Sequence, residues 1–152
     1  MRYLLCLFLL MFLFAGQLFA QKVRDELIGT WSFVKMVPEP YESGYGGIFR
    51  YILKADSTFE FMGYIASTKD SCTTYLLNDK RGKFTVDGNK ITFAPTKNYW
   101  KSTSRCSPES NKEKDYILDE FTYTWQIKDL YGQKAVCLAD TKGEACYYRE
   151  KE

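Results

Sequence analysis

The chain has 152 residues, 21 Lys and Arg against 19 Asp and Glu, and no histidine. A formal net charge of +2 gives no electrostatic ground for a nucleic-acid partner. The missing histidine excludes Ser-His-Asp and Cys-His catalysis, the usual zinc sites and histidine-ligated haem, so no enzyme, metal or cofactor is expected.

Met1 and Arg2 precede an uncharged stretch over residues 3–15, and residues 16–20 end on the small Ala20 before the polar Gln21. This is the anatomy of a signal peptide cleaved after Ala20, and its apolar run is shorter than a bilayer span requires. A secreted or periplasmic protein is expected, with residues 1–20 removed and residues 21–152 folding as one domain. Cys6 leaves with the signal, so the odd cysteine count becomes even: Cys72, Cys106, Cys137 and Cys146 remain. In an exported chain that argues for two disulfides, with three connectivities open.

Aromatic residues make up 17% of the chain, and threonines recur along it, a composition that favours strands. A helical lead-in over residues 23–28 should end at Gly29, where strand one (30–37) begins with Trp31 and Phe33 on one face. Pro38 and Pro40 stop it before a glycine-rich loop at 41–47. Residues 48–54 alternate as a second strand, and Ala55-Asp56-Ser57 turns into a third at 58–66, with Phe59 and Phe61 on a shared face. Residues 73–77 and 82–86 read as a pair around a turn at Asn78-Asp79-Lys80-Arg81. An Asp87-Gly88 or Gly88-Asn89 turn then delivers residues 90–94. Residues 95–115 read as irregular, with part near 99–103 pairing as a strand and the remainder a mobile flap. The basic residues there, Lys97, Lys101, Arg105, Lys112 and Lys114, are interleaved with Glu109, Glu113 and Asp115, a solvated pattern. Residues 116–128 carry Phe121, Tyr123, Trp125 and Ile127 in strict period two, and two further strands follow at 135–139 and 144–149. Eight to ten strands joined by tight turns indicate an all-β antiparallel meander.

Gly29-Thr30-Trp31 after the lead-in, Phe59 after an Asp-Ser turn, the run from Arg81 to Thr92 and the terminal Tyr147-Tyr148-Arg149 together resemble the small lipocalin-like proteins of the calycin group. The resemblance implies an up-and-down barrel of about eight strands, closed at the Trp31 end and open at the other. It also implies an arginine stacked on the Gly-x-Trp indole, and strand parity turns both Trp31 and Arg149 toward such a floor. The carboxy-terminal helix and the Thr-Asp-Tyr-like motif of lipocalins proper are not evident in the sequence.

Trp31, Phe33, Phe49, Tyr51, Phe59, Phe61, Phe84, Phe93, Tyr123, Trp125 and Tyr147 form the inward aromatic set. Such a set either packs a solid barrel or lines a cavity, and the tyrosines, which would need buried partners in a dry core, favour the cavity. The expected function is non-catalytic binding of a small hydrophobic ligand by Phe33, Tyr51, Phe59, Phe61, Tyr123 and Trp125. The alternative is a secreted protein-binding module or inhibitor using the loops at 41–47 and 95–115. A turn centred between Thr141 and Lys142 sets Cys137 opposite Cys146 on the barrel exterior, which leaves Cys72 to join Cys106 and tie the flap to the sheet.

Overall fold

The computed structural model describes residues 25–38 and 44–151. The export signal, its cleavage point and the first half of the glycine-rich loop lie outside the described residues. After a helical turn at residues 25–27, nine strands follow: β1 Gly29–Pro38, β2 Gly44–Leu53, β3 Thr58–Lys69, β4 Cys72–Asp87, β5 Lys90–Ser104, β6 Lys112–Asp115, β7 Phe121–Leu130, β8 Gln133–Asp140 and β9 Gly143–Arg149. All pairings are antiparallel. Eight strands run in the order β1-β2-β3-β4-β5-β7-β8-β9 and close where Trp31 meets Arg149 and Ser32 meets Tyr148, while β6 adds to the edge of β5. Closure leaves those eight strands without a free ladder edge over the paired region.

Three expectations are corrected. Asn78-Asp79-Lys80-Arg81 is no turn: β4 is one strand of 16 residues. The four polar residues alternate with the pleat, so Asp79 and Arg81 lie outside, where Asp79 pairs with both Arg81 and Lys97. In the stretch at 95–115 the strand expected near 99–103 is present as part of β5, and the remainder expected as a flap is partly paired as well. β5 runs unbroken to Ser104, a 3-10 turn at Pro108–Ser110 reverses the chain, and β6 returns along β5. The clear strand expected from residue 116 starts only at Phe121. Phe93 pairs with Phe121 and Tyr99 with Asp115, so β6 and β7 keep one register along β5 and are interrupted opposite Pro95, which has no N–H to give.

Gly82 shapes the same region. It pairs with Pro95 while Arg81 pairs with Lys97, so Thr96 is an extra residue in β5. A Cβ at position 82 would collide with the Ala94 carbonyl, which restricts the position to glycine. Past the bulge the faces of β5 exchange: Ile91 and Phe93 point inward before it, Asn98 and Trp100 after it, and Lys97 lies outside. Cys137 bonds Cys146 across the β8–β9 hairpin, and Cys72 bonds Cys106 at the top of β4 and β5.

Candidate functional site

The barrel interior divides into a floor and a mouth. At the floor Leu27, Trp31, Phe59, Phe84, Ile91, Phe93 and Val136 are all essentially without exposure. The Trp31 Nε1–H donates to the Leu27 carbonyl at 2.8 Å, so the buried indole has its partner. The Arg149 guanidinium lies 5.3 Å from the indole centroid and donates to the Ile28 carbonyl at 3.0 Å. Gly29 makes that approach possible, with φ at +143° and a notional Cβ only 3.3 Å from Arg149 Nη2. Arg149 covers the floor from the solvent side.

Toward the mouth the lining loosens. β1 and β9 pair at only two rungs, and beyond them the strands touch through the Phe33 and Tyr147 rings, 6.0 Å apart. Phe33 also stacks on Phe49 at 6.1 Å, and Tyr51 sits 4.6 Å from Phe61 and 5.2 Å from Tyr147. A hollow of about 250 Å³ opens at the top of β7, β8 and β9, lined by Tyr123, Leu138, Asp140, Lys142, Ala145 and Tyr147. A larger hollow of about 460 Å³ lies on the outer surface around Arg50, Lys54, Arg149 and Glu150, where Arg50 is ion-paired to Glu150. It is outside the barrel wall.

Burial first, then the neighbouring Tyr147 and Tyr123 phenols, pushes the Tyr51 phenol well above its ordinary value. Burial first and Tyr123 second push Tyr147 up to about 12. For Tyr123 the causes are burial and then the Asp140 carboxylate at the rim. The three therefore stay neutral at physiological pH, as hydroxyls that can both donate and accept.

Facing this cluster is a group that sequence reasoning placed in a turn. Phe61, Lys80 and Asn98 form one rung across β3, β4 and β5. The Lys80 ammonium lies 5.0 Å from the Phe61 ring centroid and 5.4 Å from that of Phe121, half-buried and with no carboxylate partner among the described residues. Burial holds its pKa below the ordinary lysine value. Asn98 is 2% exposed, and neither its amide nitrogen nor its amide oxygen has a hydrogen-bond partner; the buried Asn78 Oδ1 also lacks one.

Of the six residues expected to bind ligand, the structure brings Phe33, Tyr51, Phe61 and Tyr123 toward the mouth. Phe59 instead packs 4.8 Å from Phe93 in the floor. The Trp125 indole donates to the Gly88 carbonyl at 3.2 Å, at the floor-end turn between β4 and β5. Lys80, Asn98, Asn78 and Phe121 were missed as a group. The signal for β4 was present: positions 76, 78, 80, 84 and 86 keep one parity into the core. Cys137, Glu144 and Cys146 have metal-ligand proximity, but the two sulfurs are bonded to each other, which leaves no thiolate to ligate.

The lipocalin-like domain family matches residues 27–112, more than half of the chain. The chain belongs to the lipocalin-like family. The match runs from the floor residue Leu27 through β1 to β5 and covers Lys80 and Asn98. Lipocalin-like barrels are in general binding folds without catalysis. No curated protein and no solved structure matches the chain. Among the described residues no helix is long and apolar enough to cross a membrane.

Proposed function

We propose that this lipocalin-like barrel is exported and holds a small hydrophobic molecule at its mouth without turning it over. The observation that supports the reading most is the contrast in packing. The floor is solid, whereas Phe33, Phe49, Phe121, Tyr123 and Tyr147 are only half-buried, and two of them, Tyr123 and Tyr147, line a hollow of about 250 Å³. Tyr51 packs against Tyr147 and Phe61 behind that wall; Phe59 and Trp125 act beneath it as packing, and Trp31 with Arg149 as the structural floor. An aromatic wall with a few hydroxyls suits an apolar ligand that carries one or two polar groups.

Two disulfides fit an oxidising compartment, in agreement with the signal read at residues 1–20. Intact-mass analysis of exported material should give a chain beginning at Gln21; a mass that retains Met1 to Ala20 would refute cleavage. Native mass spectrometry of the protein as purified tests the binding reading. A retained small molecule, or saturable uptake of a hydrophobic probe that competes with it, is the expected result, and a bare mass together with no uptake would overturn it.

A further inference from the structure

Resting on the binding reading above, we infer that the ligand carries a carboxylate head group, received by Lys80 and Asn98 where β4 and β5 face the mouth, with its apolar part toward Tyr123 and Tyr147.

Three independent features converge on that rung. The first is an unpaired cation. Every other lysine with an ion-pair partner, Lys54, Lys97, Lys101 and Lys128, lies on the outside and meets Glu60, Asp79, Glu113 and Glu144 respectively. Among the described lysines Lys80 alone is turned inward between two phenyl rings. Ring faces attract the ammonium but leave its N–H donors unmet, so an incoming anion displaces little and gains a charge-assisted hydrogen bond.

The second is the amide of Asn98. An asparagine 98% buried with neither amide atom bonded leaves hydrogen-bonding capacity unmet, and buried groups of this kind are normally satisfied. It is Lys80's cross-strand partner, on the same face of the sheet. An ammonium and an amide N–H carried by cross-strand partners on one face can meet the two oxygens of one carboxylate. A single lysine suits one negative charge better than the two of a phosphate monoester. Asn78 Oδ1, two residues back on β4, is an acceptor that a hydroxyl or N–H next to the carboxylate would meet.

The third is the way this amide comes to face inward. Without Thr96 as an extra residue, the inward position would be Lys97, and the bulge, permitted by Gly82, replaces it with Asn98. The aromatic contacts then run without a break from head to hollow. Lys80 lies over Phe121, Phe121 meets Tyr123 at 5.7 Å, and Tyr123 lines the 250 Å³ hollow.

Calorimetric titration with octanoate and octanol tests the assignment, because the two share a tail and differ in the head. The wild-type chain should prefer octanoate by roughly tenfold, the scale of one added charge-assisted hydrogen bond. Lys80→Met should abolish the preference by weakening octanoate, Lys80→Arg should keep it, and Asn98→Leu should reduce it several-fold. Lys83→Met, which removes an exposed charge from the outer face of the same strand, should change nothing. Equal binding of acid and alcohol by the wild type, or an acid preference that survives Lys80→Met, overturns the head-group assignment and leaves hydrophobic binding standing. If octanol and octanoate both fail to bind, the hydrophobic-binding reading falls, and this inference with it.

Discussion

At the floor of the barrel the polar atoms of Trp31 and Arg149 meet main-chain carbonyls, whereas at the mouth Lys80, Asn78 and Asn98 keep polar atoms without partners. The apolar floor residues are packed without exposure, whereas Phe33, Phe49, Lys80, Phe121, Tyr123 and Tyr147 toward the mouth are only half-buried. Packing at the first region supplies stability, since large apolar side chains leave water together there. At the second, unmet donors and acceptors cost stability and are retained where something else satisfies them. A barrel of eight strands is just wide enough for side chains to fill. The solid floor and the looser mouth therefore reflect which residues line each end, Trp31, Phe59, Phe84 and Phe93 against Lys80, two asparagines and tyrosines.

Substitutions can break that contrast. The largest effect is expected from Trp31→Ala, which empties a fully buried indole site and also orphans the Leu27 carbonyl. A loss of about 3 to 5 kcal/mol in urea denaturation is expected. A loss below about 1 kcal/mol would mean that the floor is not the stabilising region.

The tyrosines set the next scale. A phenol whose folded pKa exceeds its unfolded value keeps its proton longer in the folded state. Its contribution is therefore complete below the unfolded value near 10.0 and is lost as pH rises toward the folded value, about 12 for Tyr147. Stability should fall by up to about 3 kcal/mol across that window from Tyr147. The tyrosinate absorbance of Tyr51, Tyr123 and Tyr147 should rise only above the pH at which an ordinary phenol ionises. One unresolved titration of all the tyrosines at the ordinary phenol pH would refute the buried cluster.

Arg149→Ala should lower stability by about 0.5 to 2 kcal/mol through the lost contact with the indole, measured as a shift of the denaturation midpoint. Affinity for a mouth ligand should be unchanged, because Arg149 lies at the opposite end; a loss of affinity would show that floor and mouth are coupled. The smallest stability change is expected at Lys80. Lys80→Met removes an unpaired, half-buried charge, so the midpoint should stay within about 1 kcal/mol of the parent or rise. A marked fall would make Lys80 a structural residue.

Much of the architecture is legible in local chemistry. Period-two alternation from Phe121 to Ile127, the Gly88-Asn89 turn and the two-residue turn of the last hairpin are set by the pleat and by turn geometry, so the antiparallel barrel and the Cys137–Cys146 pairing can be read from the chain. Indole and guanidinium lie at the positions that strand parity assigns to Trp31 and Arg149. Lys80 and Asn98 could not be read in the same way. Asn78-Asp79-Lys80-Arg81 has turn-like composition, and only pairing with β3 on one side and β5 on the other holds it extended. The inward direction of Asn98 depends on a one-residue bulge whose cause, the close approach of the Ala94 carbonyl to Gly82, exists only once the two strands are side by side. Sequence by itself determined the class of fold and the strands with clean alternation, since each follows from contacts between residues near in the chain or from simple parity. The composition of the mouth was decided by tertiary structure, because a single extra residue in β5 exchanges which side chains face the interior.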